Sequence, residues 1–151
     1  MTTVPDPSAA SPSAIRLLGV RDHALSVDEV LAAVADGAAG GTTVFVGTVR
    51  DSDEGRPVTS LGYSAHPSVE NVLREVAERV AAAHPVIALA AVHRVGDLAV
   101  GDIAVVVAVS SAHRGEAFTA CRALIDDLKS QVPIWKHQSF ADGSDEWVGL
   151  P

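Results

Sequence analysis

The stretch of sequence that decides the fold is IAVVVAVSSAHRGEAFTACRALIDDLKSQVPIWKHQSF, residues 103–140. Its first part, Ile103 to Val109, is a continuous apolar run that predicts a strand in the middle of a sheet. A helical segment follows, and Pro133 is expected to end it because the proline ring removes a backbone donor. The remaining residues, Ile134 to Phe140, are predicted to form another strand. The stretch therefore predicts the order strand, helix, strand.

The helical segment has one apolar side. Ser110 or Ser111 is expected to cap it, since a hydroxyl there can accept a hydrogen bond from a free amide of the first turn. The residues predicted on the buried side are Ala117, Phe118, Cys121, Leu124, Ile125 and Leu128. Lys129 lies at the edge of this side, so its amine is expected at the boundary between core and solvent.

Outside this stretch the sequence predicts two more helices. The first begins after Ser26, which forms a capping box with Glu29. Three glycines, Gly37, Gly40 and Gly41, are expected to end that helix in left-handed geometry. The second helix is expected to begin at residues 67–68 and to end near residue 85, where a proline again removes a donor.

Strands are expected between these helices. The predicted strands span residues 15–20, 42–49, 58–65, 86–95 and 146–148. Residues 51–57 are predicted to be an exposed loop, and residues 98–100 a tight excursion between two strands. Together the elements predict an α+β fold, a sandwich with a mainly antiparallel sheet and about three helices.

Length and charge limit the classes of function. A chain of 151 residues fits one domain, expected over residues 15–151 after a disordered tail at residues 1–14. The tail lacks the basic start and apolar run of a signal peptide. A formal net charge of -8 argues against nucleic acid and against an anionic membrane as partners.

The two lysines are the most informative residues for function. Nine of the eleven basic residues are arginine, and the lysines, Lys129 and Lys136, are seven positions apart. A partly desolvated lysine amine can lose its proton and act as a nucleophile or as a general acid or base, whereas arginine stays charged. We therefore expect both lysines to face one pocket. The structural alternative is that Lys129 interacts with the helix dipole and Lys136 is a solvent-exposed strand residue.

Three further basic side chains are candidates for holding an anion. His113 and Arg114 come at the start of the predicted helix, where free amides and the positive end of the dipole favour a negative group. Arg50 follows a predicted strand, and its planar guanidinium can clamp a phosphate or a carboxylate. These residues predict a phosphate site. The alternative for each is a solvated side chain or one held by the backbone.

Two other features are predicted to be structural. His93 and Arg94 lie in a strand just before Gly96, and we expect them to hold the following excursion rather than to join the site. Cys121 falls on the buried side of the third helix, where a thiol behaves as a small apolar group. A single cysteine excludes an internal disulfide and a multi-cysteine zinc site. We expect no metal, and a reducing compartment, the cytoplasm.

The motifs together resemble the molybdopterin synthase large subunit family. The resemblance extends from about residue 26 to residue 148, and its most specific part combines a Ser-Ala-His-Arg motif with two lysines seven residues apart. The segments that carry it are Phe45-Val-Gly-Thr-Val-Arg50, His93-Arg-Val-Gly-Asp-Leu98, Gly101-Asp102, Ser111-Ala-His-Arg114 and Lys129 through Pro133-Ile-Trp-Lys136.

The resemblance implies a fold, an assembly and a reaction. The fold is the α/β hammerhead type, and the assembly is a homodimer with one small ubiquitin-like sulfur-carrier subunit, of the MoaD type, docked on each copy to give a heterotetramer. The carrier's C-terminal thiocarboxylate donates sulfur, twice per product, to cyclic pyranopterin monophosphate and forms the dithiolene of molybdopterin. No metal or cofactor is implied for this subunit.

The resemblance also implies roles for individual residues. Lys129 and Lys136 match the family's catalytic lysines. The positions that match its substrate-binding residues are Thr48, Val49, Arg50, His113, Arg114, His137 and Gln138, together with both lysines. The pair at 113 and 114 is expected to reach the lysines of the other subunit across the dimer. Many relatives have a basic residue and a glutamate where this chain has His137 and Gln138.

Two alternatives stay open beside lysine-based sulfur transfer. A diverged paralogue that binds the carrier without catalysis would fit the absence of a carboxylate at Gln138. A sulfurtransferase that works through a Cys121 persulfide would require a reactive thiol.

Overall fold

The computed structural model describes residues 13–149. Its helices are α1 (Val27–Ala33), α2 (Val69–Ala83) and α3 (Arg114–Gln131). Its strands are β1 (Ile15–Arg21), β2 (Gly41–Thr48), β3 (Ser52–Asp53), β4 (Arg56–Ala65), β5 (Ala88–Arg94), β6 (Gly96–Ala99), β7 (Ile103–Ser111), β8 (Ile134–Phe140) and β9 (Asp145–Val148). The predicted tail lies outside the described residues except for Ser13 and Ala14.

The strands form two sheets. The first has the order β1-β5-β7-β2, in which β1 is parallel to β5 and the other pairs are antiparallel. The second has the order β3-β4-β8-β9, with β6 also paired to β4, and all its pairs are antiparallel. The predicted α+β class is confirmed, with three helices and mainly antiparallel strands in residues 13–149. The strand predicted to be central, β7, lies between β5 and β2.

Strand β7 is buried on both faces, as its apolar run predicts. Side chains alternate between the faces of a strand. Val105, Val107 and Val109 therefore join the core beneath α2 and α3, while Val106 and Ala108 join the core beneath α1. Burial of each valine contributes roughly 1.5–3 kcal/mol. Helix α3 packs on one face of this sheet.

The start of α3 differs from the prediction. Ser110 and Ser111 belong to β7, because the strand extends to pair with Gly41 at the start of β2. The cap residue is His113, with an extended backbone and no capping hydrogen bond from its side chain. Phe118, predicted to be buried, is 61% exposed. It lines an open hollow with Val44 and Phe45 of β2, the last strand of the sheet.

Two of the glycines after α1, Gly40 and Gly41, serve close packing rather than left-handed geometry, whereas a Cβ atom on Gly37 would meet nothing within 4 Å. None of the three predicted to end the helix has positive φ. A Cβ atom on Gly40 would lie 2.3 Å from the carbonyl oxygen of Ala112, and one on Gly41 would lie 2.8 Å from Cα of Arg114. Glycine is therefore required because the start of β2 presses against the start of α3.

The start of α1 agrees with the prediction only in part. The Oγ of Ser26 accepts a hydrogen bond from the Glu29 amide at 3.2 Å, as expected of a cap. The Glu29 carboxylate does not return to the cap, however. It binds the guanidinium of Arg21 on β1, with contacts of 2.5 and 2.7 Å.

Two predicted connections contain strands. The expected loop at residues 51–57 is a hairpin, in which β3 pairs with β4 across the turn residues Glu54 and Gly55. Both turn residues have positive φ, 50° and 78°, as a two-residue hairpin turn requires. The expected excursion after Gly96 begins with β6, which pairs with β4. Sequence patterns missed both strands because they are only two and four residues long.

Candidate active site

Lys129 and Lys136 line one cavity, as predicted. Its volume is about 200 Å³. Lys129 comes from the last turn of α3, and Lys136 is the third residue of β8. The other lining residues are Tyr63, His93, Leu128, Val132, Ile134, Val148 and Gly149. The cavity therefore gathers side chains from α3, β4, β5 and β8 beside the end of β9.

The chain between the two lysines explains why they meet. The amide of Val132 donates to the Leu128 carbonyl at 3.1 Å, which closes α3 just before Pro133. Strand β8 then runs antiparallel to β4, with Lys136 opposite Tyr63. A helix end, a proline and a strand start thus turn the chain back on itself within seven residues.

The pKa of the Lys129 amine is lowered, first by desolvation and then by the positive charge of Lys136. Lys129 lines the cavity but is an exposed residue, which limits the size of the shift. Both causes act in the same direction, so a larger fraction of the amine is neutral than in free lysine. A neutral amine can accept a proton or act as a nucleophile.

His93 forms part of the cavity wall, although the sequence predicted a structural role outside the site. Only 2% of the residue is exposed. Its Nδ1 donates a hydrogen bond to the Arg94 carbonyl oxygen at 2.7 Å. Because a carbonyl can only accept, Nδ1 carries the proton and the neutral ring has its lone pair on Nε2. Its edge-to-face contact with Tyr63 has ring centroids 4.8 Å apart.

The neutral form of His93 is strongly favoured. Desolvation lowers its pKa to about 4, the hydrogen bond to the Arg94 carbonyl opposes this shift, and the charge of Lys129 lowers the pKa further. Desolvation also raises the pKa of Tyr63. The wall opposite the lysines is therefore uncharged at neutral pH. The signal in the sequence was strand parity, since His93 follows Leu89 and Ala91 on the face that α3 covers.

A second, smaller cavity adjoins the first and contains Arg50. Its volume is about 60 Å³, and it shares Tyr63 and Lys136 with the lysine cavity. The other lining residues are Thr48, Val49, Arg50, Ser52, Leu61 and Gln138. Four predicted substrate-binding residues, at positions 48, 49, 50 and 138, therefore lie beside Lys136.

His137 points away from both cavities. It lies on the opposite face of β8 from Lys136, because neighbouring strand residues alternate. Its ring stacks on Trp147 with centroids 4.4 Å apart, and its Nε2 lies 2.5 Å from the Asp145 carboxylate. These contacts join His137 on β8 to β9. The geometry of the single chain therefore gives no support to its predicted part in substrate binding.

His113 and Arg114 lie at the other end of α3 from the lysines. They line an open hollow with Gly40, Ala112, Gly115 and Phe118. Arg114 and Lys129 are fifteen residues apart on one helix, a separation of about 22 Å along its axis. The single chain therefore does not bring this pair to the lysine cavity, and a shared site requires a second copy.

Cys121 has none of the features of a reactive thiol. It is buried beneath α3, and its Sγ is 4.0 Å from the Val107 carbonyl oxygen. Desolvation raises the pKa of the thiol to about 11. The thiolate needed to carry a persulfide is therefore scarce at neutral pH, which argues against the alternative built on this residue. No cluster of metal-binding side chains occurs in residues 13–149.

Comparison with known proteins decides the family. The family model described as "MoaE protein" matches residues 20–131, about three quarters of the chain. The chain belongs to the MoaE protein family. A relative from Mycobacterium tuberculosis, molybdopterin synthase catalytic subunit 1, is 46% identical over 129 residues, which cover 85% of this chain and 87% of that protein.

Solved structures of MoaE relatives share the fold. Molybdopterin synthase from Staphylococcus aureus superposes with a TM-score of 0.81 at 31% identity, covering 86% of this chain and 95% of that one. A complex of subunits 1 and 2 of the molybdopterin-converting factor from Helicobacter pylori has a TM-score of 0.67 at 25% identity, covering 87% and 89%. In the described part of this MoaE chain, no helix has both the length and the apolar character needed to cross a membrane.

Proposed function

We propose that this MoaE chain is the catalytic subunit of a molybdopterin synthase. It transfers sulfur from the C-terminal thiocarboxylate of a small ubiquitin-like carrier subunit to cyclic pyranopterin monophosphate, and two transfers form the dithiolene of molybdopterin. The observation that carries the proposal is the cavity shared by Lys129 and Lys136, in which the Lys129 amine has a lowered pKa. The names of the relatives support the same reaction.

Lys129 and Lys136 have different parts in this proposal. In each transfer sulfur takes the place of an oxygen on a pterin carbon, and water takes the place of sulfur on the carrier, which leaves as a carboxylate. Protons must move at both carbons. The Lys129 amine, which loses a proton more readily than free lysine, is suited to accept and return those protons. Desolvation and the charge of Lys136 lower the Lys129 pKa, and the charge of Lys136 is suited to attract the thiocarboxylate. Arg50, in the adjoining cavity, is suited to hold the phosphate of the pterin.

The shape of the lysine cavity supports a thin, extended partner. A volume of about 200 Å³ accepts a glycine-ended tail better than a chain with large side chains. The cavity is bounded by Val148 and Gly149, next to the exposed Trp147 of β9. A carrier subunit docked on this side would place its C-terminus beside Lys129. The two-subunit complex from Helicobacter pylori supports a partner of this kind.

A homodimer is part of the same proposal. Strand β2 is the last strand of its sheet, and Val44, Phe45 and Phe118 form an exposed apolar patch around it. An uncovered edge strand with such a patch is typical of an interface. His113 and Arg114 lie beside this patch and far from their own lysines. A second copy seated there would complete a site in each subunit, and two carriers would make a heterotetramer.

We further propose the cytoplasm as the compartment, because a single buried cysteine suits a reducing environment. The alternative of a carrier-binding paralogue without activity has weaker support. It was based on the missing carboxylate at Gln138, yet both lysines line one cavity and Arg50 lines the cavity next to it.

Reconstitution tests the proposed function. The purified full chain is mixed with thiocarboxylated carrier and cyclic pyranopterin monophosphate, and dithiolene formation is measured. We expect one molecule of dithiolene product for every two thiocarboxylates consumed. Binding of the carrier without product would favour the inactive paralogue, and turnover that ends in Cys121→Ser but persists in Lys129→Ala would favour the persulfide enzyme.

A further inference from the structure

Gln138 is linked to Arg50 through Asp53. Gln138 is only 3% exposed, and its Nε2 donates a hydrogen bond to Oδ2 of Asp53 at 2.9 Å. The other carboxylate oxygen of Asp53, Oδ1, lies 3.7 Å from a terminal guanidinium nitrogen of Arg50. Because a carboxylate only accepts hydrogen bonds, the amide group of Gln138 must face it with its NH2. A buried amide thus holds the carboxylate that faces Arg50.

The backbone fixes both members of the pair. Asp53 is the last residue of β3, next to the two-residue turn of the hairpin, and it pairs with Arg56. Gln138 lies opposite Leu61 in the pairing of β8 with β4. It follows Lys136 by two residues and so shares its face of β8. The Asp53 carboxylate is therefore held at a fixed place beside the Arg50 cavity.

Arg50 needs such a partner for its direction. Its side chain is 76% exposed, and an unrestrained arginine samples many rotamers that are lost when it binds a ligand. An exposed ion pair of this kind contributes little to the stability of the fold. It does reduce the number of orientations that the guanidinium adopts, which lowers the entropic cost of binding an anion.

The pair has a strict charge requirement. One amide and one carboxylate form a hydrogen bond and leave a negative charge for Arg50. Two carboxylates at this distance would repel each other, and two amides would leave no charge for Arg50. Position 138 carries an uncharged amide in this chain. The negative charge is still present, one hydrogen bond away, on Asp53.

We propose that Gln138 and Asp53 are a positioning pair that orients Arg50 toward the anionic group of the substrate, with Asp53 supplying the carboxylate that position 138 lacks. The amide and the carboxylate are interchangeable between the two positions. Arg50 and Gln138 line the same small cavity, so a carboxylate at either position can face the guanidinium. This inference rests on the proposed function for the identity of the anion, cyclic pyranopterin monophosphate.

A double-mutant cycle in the full chain tests the pair. The variants are Gln138→Glu, Asp53→Asn and the two combined, and the dissociation constant for cyclic pyranopterin monophosphate is measured by calorimetry. We expect each single variant to weaken binding about tenfold, in line with loss of an interaction to a charged group. The combined variant should bind within about threefold of wild type, because one amide and one carboxylate are present again.

A matched control separates this effect from a general effect of added charge. Gln131→Glu makes the same chemical change at the exposed end of α3, where Gln131 contacts Arg79. We expect binding of the pterin to be unchanged in this variant. The thermal unfolding midpoints of all variants report whether any has lost its fold. If Gln138→Glu unfolds, Asp53→Asn still tests the pair, because it keeps a hydrogen-bonding partner for Gln138.

Turnover measurements separate a positioning role of the pair from a structural role, because only a positioning role predicts a change in KM without a similar change in kcat. In the reconstituted reaction, Gln138→Glu should raise KM for the pterin while kcat changes less than about twofold. Additive losses of about a hundredfold in the combined variant would overturn the proposal, as would unchanged pterin binding in Gln138→Glu. If wild type binds the pterin and shows the cycle but forms no dithiolene, the proposed function fails and the positioning pair stands.

Discussion

The two ends of helix α3 carry different candidate site residues, and the surroundings of these residues differ. At the C-terminal end, Lys129 lies in a cavity whose other walls come from the same chain. At the N-terminal end, His113 and Arg114 lie in an open hollow beside an exposed phenylalanine and the edge strand β2. The amine whose pKa is lowered lines a cavity that its own chain forms. Groups that need only a fixed charge are left on a surface that another copy can cover.

Replacement of Lys129 should have the largest effect. In Lys129→Ala we expect dithiolene formation to fall by about a thousandfold, the usual range for loss of a general acid or base. Lys129→Arg keeps the charge but cannot release a proton, so dithiolene formation in this variant should fall almost as far. Single-turnover measurements with carrier thiocarboxylate check both. Activity retained in the arginine variant would show that Lys129 acts through its charge alone.

A mixing experiment tests whether the two ends of α3 cooperate across a dimer. Arg114→Ala should lower activity about a hundredfold through loss of a charged contact to phosphate. In a mixed dimer of Arg114→Ala and Lys129→Ala, one of the two sites keeps both residues. An equal mixture with free subunit exchange should recover about a quarter of wild-type activity.

No recovery after exchange, verified by native mass spectrometry of differently tagged copies, would contradict sharing of the site. The single variants mixed with themselves serve as controls. A recovery confined to the mixed population would show that the open end of one copy completes the enclosed end of the other.

His93 should make the enclosed end sensitive to acid. Its folded pKa is about 4, below the ordinary value of 6.5. Stability from the neutral ring is therefore present above pH 6.5 and is lost as the pH falls from 6.5 toward 4, because the unfolded chain binds the proton more readily. A shift of this size corresponds to about 3 kcal/mol.

Chemical denaturation at several pH values measures this contribution. His93→Asn should be less stable than wild type at pH 7 and should lose less stability between pH 6.5 and pH 4. His23→Asn, at an exposed histidine, should leave the pH dependence nearly unchanged. If the free energy of unfolding fell equally with pH in wild type and His93→Asn, the ring of His93 would not be desolvated in the folded protein.

The smallest effect is expected at Cys121, beneath the middle of the helix. In Cys121→Ala, sulfur transfer per folded molecule should stay within about twofold of wild type, since the residue touches neither end of the site. Its thiol should also react slowly with iodoacetamide in the native protein, because its pKa is raised to about 11. Loss of sulfur transfer in this variant would show that Cys121, and not only the residues at the two ends of the helix, takes part in the reaction.

The sequence predicted the enclosed end of α3 better than the open end. The lysine cavity follows from local signals, because the helix end, Pro133 and the next strand lie within a dozen residues. His93 was missed because its place depends on which helix covers which face of β5, a long-range property. Phe118 was misplaced for a related reason: helical periodicity gives a side of the helix, but not where the sheet beneath it ends.

The fold shows the same division between local and long-range information. The apolar run of β7 fixed its central place, since only a strand buried on both faces can be apolar throughout. The short strands β3 and β6 depend on pairing with β4, and no pattern within two to four residues reveals a partner. The contact between Gln138 and Asp53 joins positions 85 residues apart, so no local pattern in the sequence could reveal it.

Direct titration of the Lys129 amine tests the central claim. The chain has two lysines, so isotopically labelled lysine gives two side-chain amine signals, and Lys136→Arg assigns them. We predict that Lys129 titrates below the ordinary lysine value of 10.5, and that its pKa rises when Lys136→Gln removes the neighbouring charge. A Lys129 amine that titrates at 10.5 or above, and does not respond to Lys136→Gln, would contradict it.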